Sequence, residues 1–301
     1  LLFPVLFLLT IQAANAQQRP DTSFIFPLAN PAYPPGKGPL VSVDRAHHNL
    51  HTLDGGFAPF GRLLSMDGCT VQSMTQPLTS LQEGRGPRIL VIANALDASD
   101  TAEWIVPNPS AFTENEIRNL QQWVHDGGRL LLIADHMPFA GAAGELAEAF
   151  GFRFLNGFAF TGEQTWPPSR FTREEGTLLS SPVTEKGQNG SSVKEVATYT
   201  GSAFTIPGEA IPVLKFRPQD WSLQPDTAWA FHPGTPRVQL ANHYQGALLK
   251  YGKGKVAVFG EAAMFTAQIV NESVKVGFNA PDAPENARFV LNVVHWLDSN
   301  D

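Results

Sequence analysis

Three polar clusters in this 301-residue chain carry residue types that do acid–base or metal chemistry, and each stands directly behind an apolar run. The run Leu130–Ala134 stops at Asp135–His136, where Pro138 keeps the strand from continuing. A second run, Pro39–Val43, leads into Asp44, His47, His48, Asn49 and His51, and a third, Val256–Gly260, leads into Glu261. Imidazoles at 47, 48, 51 and 136 with the Glu261 carboxylate form a donor set that suits a divalent ion, zinc first. In an extended segment residues 47 and 48 point to opposite sides, whereas in a helical turn 47 and 51 share one. Asp44 is placed to orient a ligand from behind. A metal lowers the pKa of its bound water, and Asp135, His136 and Glu261 would then move the proton. The bland alternatives stand beside these: a capping aspartate, satisfied loop histidines and an ordinary strand-end carboxylate.

Asn94 and Asp97 follow the run Leu90–Ala93 and, with Asn49 and His243, are candidates to hydrogen-bond a polar substrate. His125, His232 and His295 read as surface or helix-terminal residues. Trp104, Phe139 and Phe265 could wall a pocket, although aromatics at such places usually belong to the core. Cys69 has no adjacent base and no strand-to-helix elbow, so it reads as a small buried thiol rather than a nucleophile. The helical zinc-protease signature and the Ser elbow are absent. Gly252–Lys255 has the wrong spacing for a phosphate loop and reads as a hairpin turn before strand 256–259.

Regular elements must position these groups. Thr113 and Glu116 form a capping box for a helix whose Ile117, Leu120 and Val124 recur at helical spacing. Gly127–Gly128 ends it and turns into strand 129–134, half of an α/β crossover. Helices are further expected over 56–67, 142–150 and 284–297, and strands over 70–74 and 152–155. Val238–Asn242 and Ala247–Tyr251 read as a hairpin about Gly246. Between 156 and 236 the periodicity weakens among Thr, Ser, Gly and Pro, which reads as a strand-rich insertion. The element order favours a three-layer α/β domain over 39–298, preceded by an extended arm at 17–38.

Hydrophobic residues make up 43% and charged residues 16%, a globular composition. The formal charge of -7 and the lack of a basic stripe argue against a nucleic-acid partner. Leu1–Thr10 followed by Ala14–Asn15–Ala16 reads as a signal peptide over 1–16, giving a periplasmic or secreted protein without a stable membrane span. The single cysteine leaves no internal disulfide. The sequons Asn189–Gly190–Ser191 and Asn271–Glu272–Ser273 matter only in a host that glycosylates exported proteins. No residue pattern sets an oligomeric state.

The capped helix and strand Thr113–Asp135, the strand Lys253–Glu261, the terminal Asn292–Leu297, the Asp44–His51 cluster and the Asn94 strand exit together resemble exported proteins of the class I glutamine-amidotransferase-like superfamily, trehalose-utilisation-like relatives included. The likeness covers roughly 39–155 and 237–298. It implies a flavodoxin-like sandwich with a mostly parallel sheet. The elbow that carries the nucleophilic Cys in that superfamily holds Asp135–His136–Met137 here, so glutaminase chemistry is not expected. The preferred expectation is a metal-dependent hydrolase or lyase acting on a small polar or carbohydrate-derived substrate. The alternatives are a non-enzymatic carbohydrate or cell-envelope binding module and a scaffold component of the envelope.

Overall fold

Apolar runs of four to five residues bounded by turn residues become strands, and amphipathic stretches become the helices that cover them. The computed structural model describes residues 18–82, 84–162, 168–185 and 192–300. The signal segment 1–16 and the sequon at 189–191 lie outside these. In chain order the elements are β1 (Gln18–Pro20), β2 (Leu40–Asp44), α1 (Ala58–Met66), β3 (Thr70–Met74), β4 (Ile89–Ala93), α2 (Glu114–His125) and β5 (Arg129–Ile133). Next come α3 (Phe139–Ala142), α4 (Gly144–Glu148), β6 (Arg153–Leu155), β7 (Phe158–Phe160), β8 (Ser169–Thr172), β9 (Glu195–Thr198), β10 (Ala203–Thr205) and β11 (Ile211–Lys215). The chain closes with β12 (Trp221–Leu223), β13 (Arg237–Gln239), β14 (Tyr244–Tyr251), β15 (Gly254–Phe259), β16 (Ala267–Val270), β17 (Val274–Gly277) and α5 (Asn286–Asp298).

The main sheet runs β3-β2-β4-β5-β15-β14-β10-β6, with β11 also on β14. From β3 to β15 the strands are parallel and follow the flavodoxin-related order in which the first strand lies between the second and third. Beyond β15 every pairing is antiparallel. The sheet is therefore mixed, not mostly parallel: β6, β10 and β11, from or next to the weakly periodic middle of the chain, extend its edge. Smaller sheets β1-β16-β17 and β13-β12-β7 and the pair β8-β9 surround it.

All residues of β4 and β5 are buried, as parallel strands covered on both faces must be. Alternation along the strands sends Val41, Val43, Ile89, Val91, Leu131 and Ile133 toward α1 and α5. Leu90, Ile92, Leu130 and Leu132 pack with Leu120, Trp123 and Val124 of α2 and Leu146 of α4. Arg129 and Lys255 are buried at the amino ends of their strands, where Arg129 Nε donates to Leu297 O at 2.8 Å and Lys255 Nζ to Trp296 O at 2.8 Å. Both cations thereby cap the last turn of α5, where the helix dipole is negative.

The capping box of α2 forms as its sequence requires: Glu116 N donates to Thr113 Oγ1 at 3.3 Å and Thr113 N to Glu116 Oε2 at 3.1 Å. Thr113→Ala is expected to cost about 1 kcal/mol in urea unfolding; a loss below about 0.3 kcal/mol would show that the cap is redundant.

Three expectations are corrected. The stretch 142–150 is broken into α3 and α4 rather than one helix, with Ala143 closing the first and opening the second. The hairpin about Gly246 does not form. Gly246 lies inside β14, where a Cβ would stand 2.7 Å from the Phe259 ring, while Val238 belongs to β13 and pairs with Ser222 of β12. The turn falls instead at Gly252, whose φ of +57 suits glycine. His295 is buried at 3% exposure rather than on the surface, because its Nε2 meets the Asp67 carboxylate at the end of α1.

Candidate functional site

The carboxyl ends of β2, β4, β5 and β15 open on a cavity of about 560 Å³, beside the point where the parallel strand order reverses. Each strand delivers one polar residue or pair to it: His51 after β2, Asn94 after β4, Asp135 and His136 after β5, and Glu261 after β15. Sequence alone places these five groups at four strand ends, and the structure brings them into one pocket.

Asn94 leaves β4 with a φ of +50, which asparagine tolerates better than most residues. Its Oδ1 accepts from Asp135 N at 3.0 Å, while its Nδ2, in a side chain 1% exposed, has no partner. Leu50 N donates to Asn94 O at 3.0 Å and Leu96 N to His47 O at 2.9 Å, which pins the loop carrying His51 to the β4 exit. The His51 ring packs 4.9 Å from Phe57, and its buried Nδ1 is also unpartnered. Burial pulls the His51 pKa down against the opposing charge of Asp135, so the ring is neutral in neutral water.

Asp135 and Glu261 share one short stretch of backbone. Ala262 N donates to Asp135 Oδ2 at 3.2 Å, Ala263 N to Glu261 Oε1 at 2.8 Å and Met264 N to Glu261 Oε2 at 2.7 Å. Complete burial, and then repulsion from Asp135, raise the Glu261 pKa well above the usual carboxylate range against these amides. His136 Nδ1 donates to Met137 O at 2.6 Å, so that in the neutral ring Nε2 is the acceptor.

Aromatic rings wall the space above this floor. His136 stacks on Phe158 at 4.5 Å and meets Trp229 edge-on at 4.7 Å, while Trp104 lies 5.3 Å from Phe139. The buried indole Nε1 of Trp104 lacks a partner. Trp229 holds a φ of +65, a backbone state that bulky residues rarely adopt, yet its side chain is 44% exposed at the pocket. The loops bearing the two tryptophans are joined by Ala228 N to Trp104 O at 2.9 Å and Val106 N to Asp226 O at 2.9 Å. Sequence reasoning missed Trp229, Tyr199, Lys275 and Asp282, all of which line the cavity. Trp229 and Asp282 come from irregular segments, Tyr199 directly follows β9, and Lys275 lies within β17 of a smaller sheet.

Five other candidates lie elsewhere. His47 is clamped between Asp44 (Nδ1 to Oδ2, 2.8 Å) and Glu116 (Nε2 to Oε1, 3.1 Å). His48 is exposed and does not line the pocket. Asn49 Nδ2 donates to Ala93 O at 3.3 Å, Asp97 Oδ1 accepts from Ser99 N at 2.8 Å, and His243 Nδ1 meets Ala241 O at 3.1 Å. The metal set His47, His48, His51, His136 and Glu261 thus does not fit a zinc ion: both nitrogens of His47 are occupied, His48 faces away, and both Glu261 oxygens accept backbone amides. Among the described residues no group of three or more His, Cys, Asp or Glu is placed to hold a metal. Cys69 is free and buried, its thiol pushed up to about 12 by burial first and by Asp67 and Asp298 next, as a structural thiol should be.

No protein-family model matches the chain, and no curated protein matches it. Among solved structures, the mmIFT52 N-terminal domain superposes with a TM-score of 0.58 over 87% of this chain and 98% of that one, at 16% identity. A ThuA-like protein from Bacteroides uniformis matches over 87% of this chain and 91% of its own, at 12% identity and a TM-score of 0.45. Two cytoplasmic proteins from Salmonella typhimurium match over 86% of this chain and 99% and 98% of theirs, at 15% and 13% identity and a TM-score of 0.46 each. At these identities the likeness is one of fold. What stands of the resemblance read from sequence is the fold, an α/β domain of flavodoxin-related strand order whose one cysteine is buried. The expected periplasmic or secreted location is not retained: the residues that carried it, 1–16, lie outside the described ones. Among the described residues no helix is long and apolar enough to cross a membrane.

Proposed function

We propose that the chain is a binding protein for a small polyhydroxyl, carbohydrate-type ligand, held at the carboxyl edge of the parallel strands. One observation carries this reading. The floor holds unpartnered buried nitrogens on His51, Asn94 and Trp104 beside acceptors on His136 and Asp135, under two tryptophans. Orphaned buried polar groups are costly, and a ligand that supplies their partners relieves that cost. A hydroxyl both donates and accepts, which matches a floor that mixes the two, and the apolar face of a sugar ring suits an indole wall. The supporting frame is a three-layer unit over 39–298, with 156–236 as the elaboration that brings Trp229.

Calorimetric titration with neutral mono- and disaccharides tests it. Saturable binding is expected, and Trp229→Ala is expected to weaken it about fivefold through the loss of roughly 1 kcal/mol of ring contact. No heat from any sugar at concentrations up to about 10 mM would overturn the reading.

Hydrolysis of the bound sugar is a second reading, favoured by the adjacent carboxylates and by the raised pKa of Glu261. Against it stand the complete burial of Glu261 and the occupation of both its oxygens. Product release from a bound disaccharide, lost in His136→Ala and Glu261→Gln, would favour the enzyme.

A further inference from the structure

Resting on the reading above, we propose that the ligand is amphiphilic: its hydroxyl ring carries an alkyl aglycone that lies on the mouth of the cavity while the ring is held inside. Seven large apolar side chains are exposed among the described residues, and six of them gather at this one place. Leu50, Trp229 and Val274, at 48%, 44% and 54% exposure, line the cavity itself. Ile105, Val106 and Phe231 ride on the two joined loops that bear Trp104 and Trp229, where Ile105 bridges to Thr227 and the Phe231 ring lies 5.1 Å from Phe158. Apolar side chains scattered singly over a surface ask for no explanation, but a cluster around a cavity marks a place where apolar groups bind.

The hairpin of β16 and β17 completes the apolar side of the mouth. Val270 pairs with Val274 in register, and Val276 stands two residues on, so alternation puts all three valines on one face of that small sheet. All three line the cavity. Gln18, Asn271 and Lys275 also border the opening, where they are exposed and solvated by water.

Burial grades the cavity from polar to apolar. His136, Tyr199 and Asp282 are half-buried polar lining, whereas the leucine, the tryptophan and Val274 stand about half exposed. A wholly hydrophilic sugar would leave those apolar groups against water, and a plain hydrocarbon would desolvate the polar ones without giving them partners. A glycoside with an alkyl group serves both. The volume of about 560 Å³ falls in the range of drug-sized ligands, more than a single sugar ring fills. Six side chains around an opening are far fewer than the roughly 20–30 residues a side of a stable protein interface, so an entering chain fits them better than a folded partner.

The test is a calorimetric series on the full chain with methyl, hexyl and octyl glucosides, each kept below the concentration at which it forms micelles. A methylene that the mouth covers completely should tighten binding about fourfold. Octyl glucoside, with its chain partly covered, is expected to bind about tenfold or more tightly than methyl glucoside. Leu50→Ser combined with Val274→Ser should lower that ratio about threefold or more, whereas Ile25→Ser, at an exposed apolar residue outside the cavity, should leave it as it is. If the double variant does not fold, the chain-length dependence of the wild type decides. Co-sedimentation with phosphatidylcholine vesicles only when they contain a glucosyl diacylglycerol would assign the ligand to a lipid surface, and its absence beside tight octyl glucoside binding to a soluble glycoside. Equal affinities for the three glucosides, or a ratio that Ile25→Ser lowers as much as the mouth variant does, overturn the amphiphile while leaving a saccharide site. Octyl tetraethylene glycol, which has the chain without the sugar, overturns the saccharide reading and this one with it if it binds as tightly as octyl glucoside. Silence from every glucoside does the same. Self-association of the unliganded chain that Leu50→Ser abolishes would make a second copy the occupant and overturn the alkyl chain.

Discussion

Replacing His47 by alanine is expected to cost the fold about 3 kcal/mol in chemical denaturation near neutrality, although the residue lies outside the pocket. His47 is 7% exposed and bridges Asp44, at 0%, to Glu116, at 8%. Its removal leaves two acids buried without their shared cation. Glu116 also accepts from Leu78 N at 3.2 Å and caps α2, so the bridge ties the β2 exit, the turn before β4 and the first turn of α2 together. The sign of the pH dependence follows from the pKa. Burial opposes protonation of His47, but the bonds to Asp44 and Glu116 outweigh it and raise the pKa above its ordinary value. The stabilisation is then fully present below the unfolded-state value of about 6.5 and is lost as pH rises through the folded value. Glu116 is shifted down, so its share persists at these pH values and fails only in acid. The difference between wild type and His47→Ala should accordingly be larger at about pH 6 than at about pH 9. A pH-independent difference would show that the imidazole acts only as a packed neutral ring.

Phe259→Ala is the second large effect, expected at about 3–5 kcal/mol. Phe259 is fully buried at the end of β15, 4.9 Å from Phe265 and 5.7 Å from Phe289 of α5, with Gly246 of β14 packed against its face. Truncation opens a void bounded by a strand, a helix and the turn that follows Glu261, so the site should loosen along with the core. Unfolding by denaturant with sugar titration on the same sample would register both. A loss below about 1 kcal/mol would mean that α5 collapses into the gap.

The parts of the structure that are readable in the sequence are those set by local rules. The Thr113–Glu116 box, the buried β4 and β5, and the polar residue closing each parallel strand all follow from neighbours a few positions apart. The convergence of His51, Asn94, Asp135, His136 and Glu261 follows from where ligands gather in such sheets. What is not readable depends on distant partners. Three histidines between 47 and 51 are equivalent on paper, and only Glu116, 69 residues on, assigns His47 to the scaffold. The capping glutamate is visible, but nothing local shows that its carboxylate also faces an imidazole. Gly246 looks like a turn because glycine serves turns and close packing alike, and only the Phe259 ring decides between them. Trp229 is hidden for the same reason: its segment is irregular, and its place is fixed by hydrogen bonding to the Trp104 loop.

That junction has a consequence for selectivity. Because the backbones bearing Trp104 and Trp229 are laced to each other, the gap the two indoles border is a property of the joined pair and not of either loop. A change of length in one segment should shift both rings in concert. Flat molecules would be sorted by thickness at the mouth before any of their polar groups is read at the base.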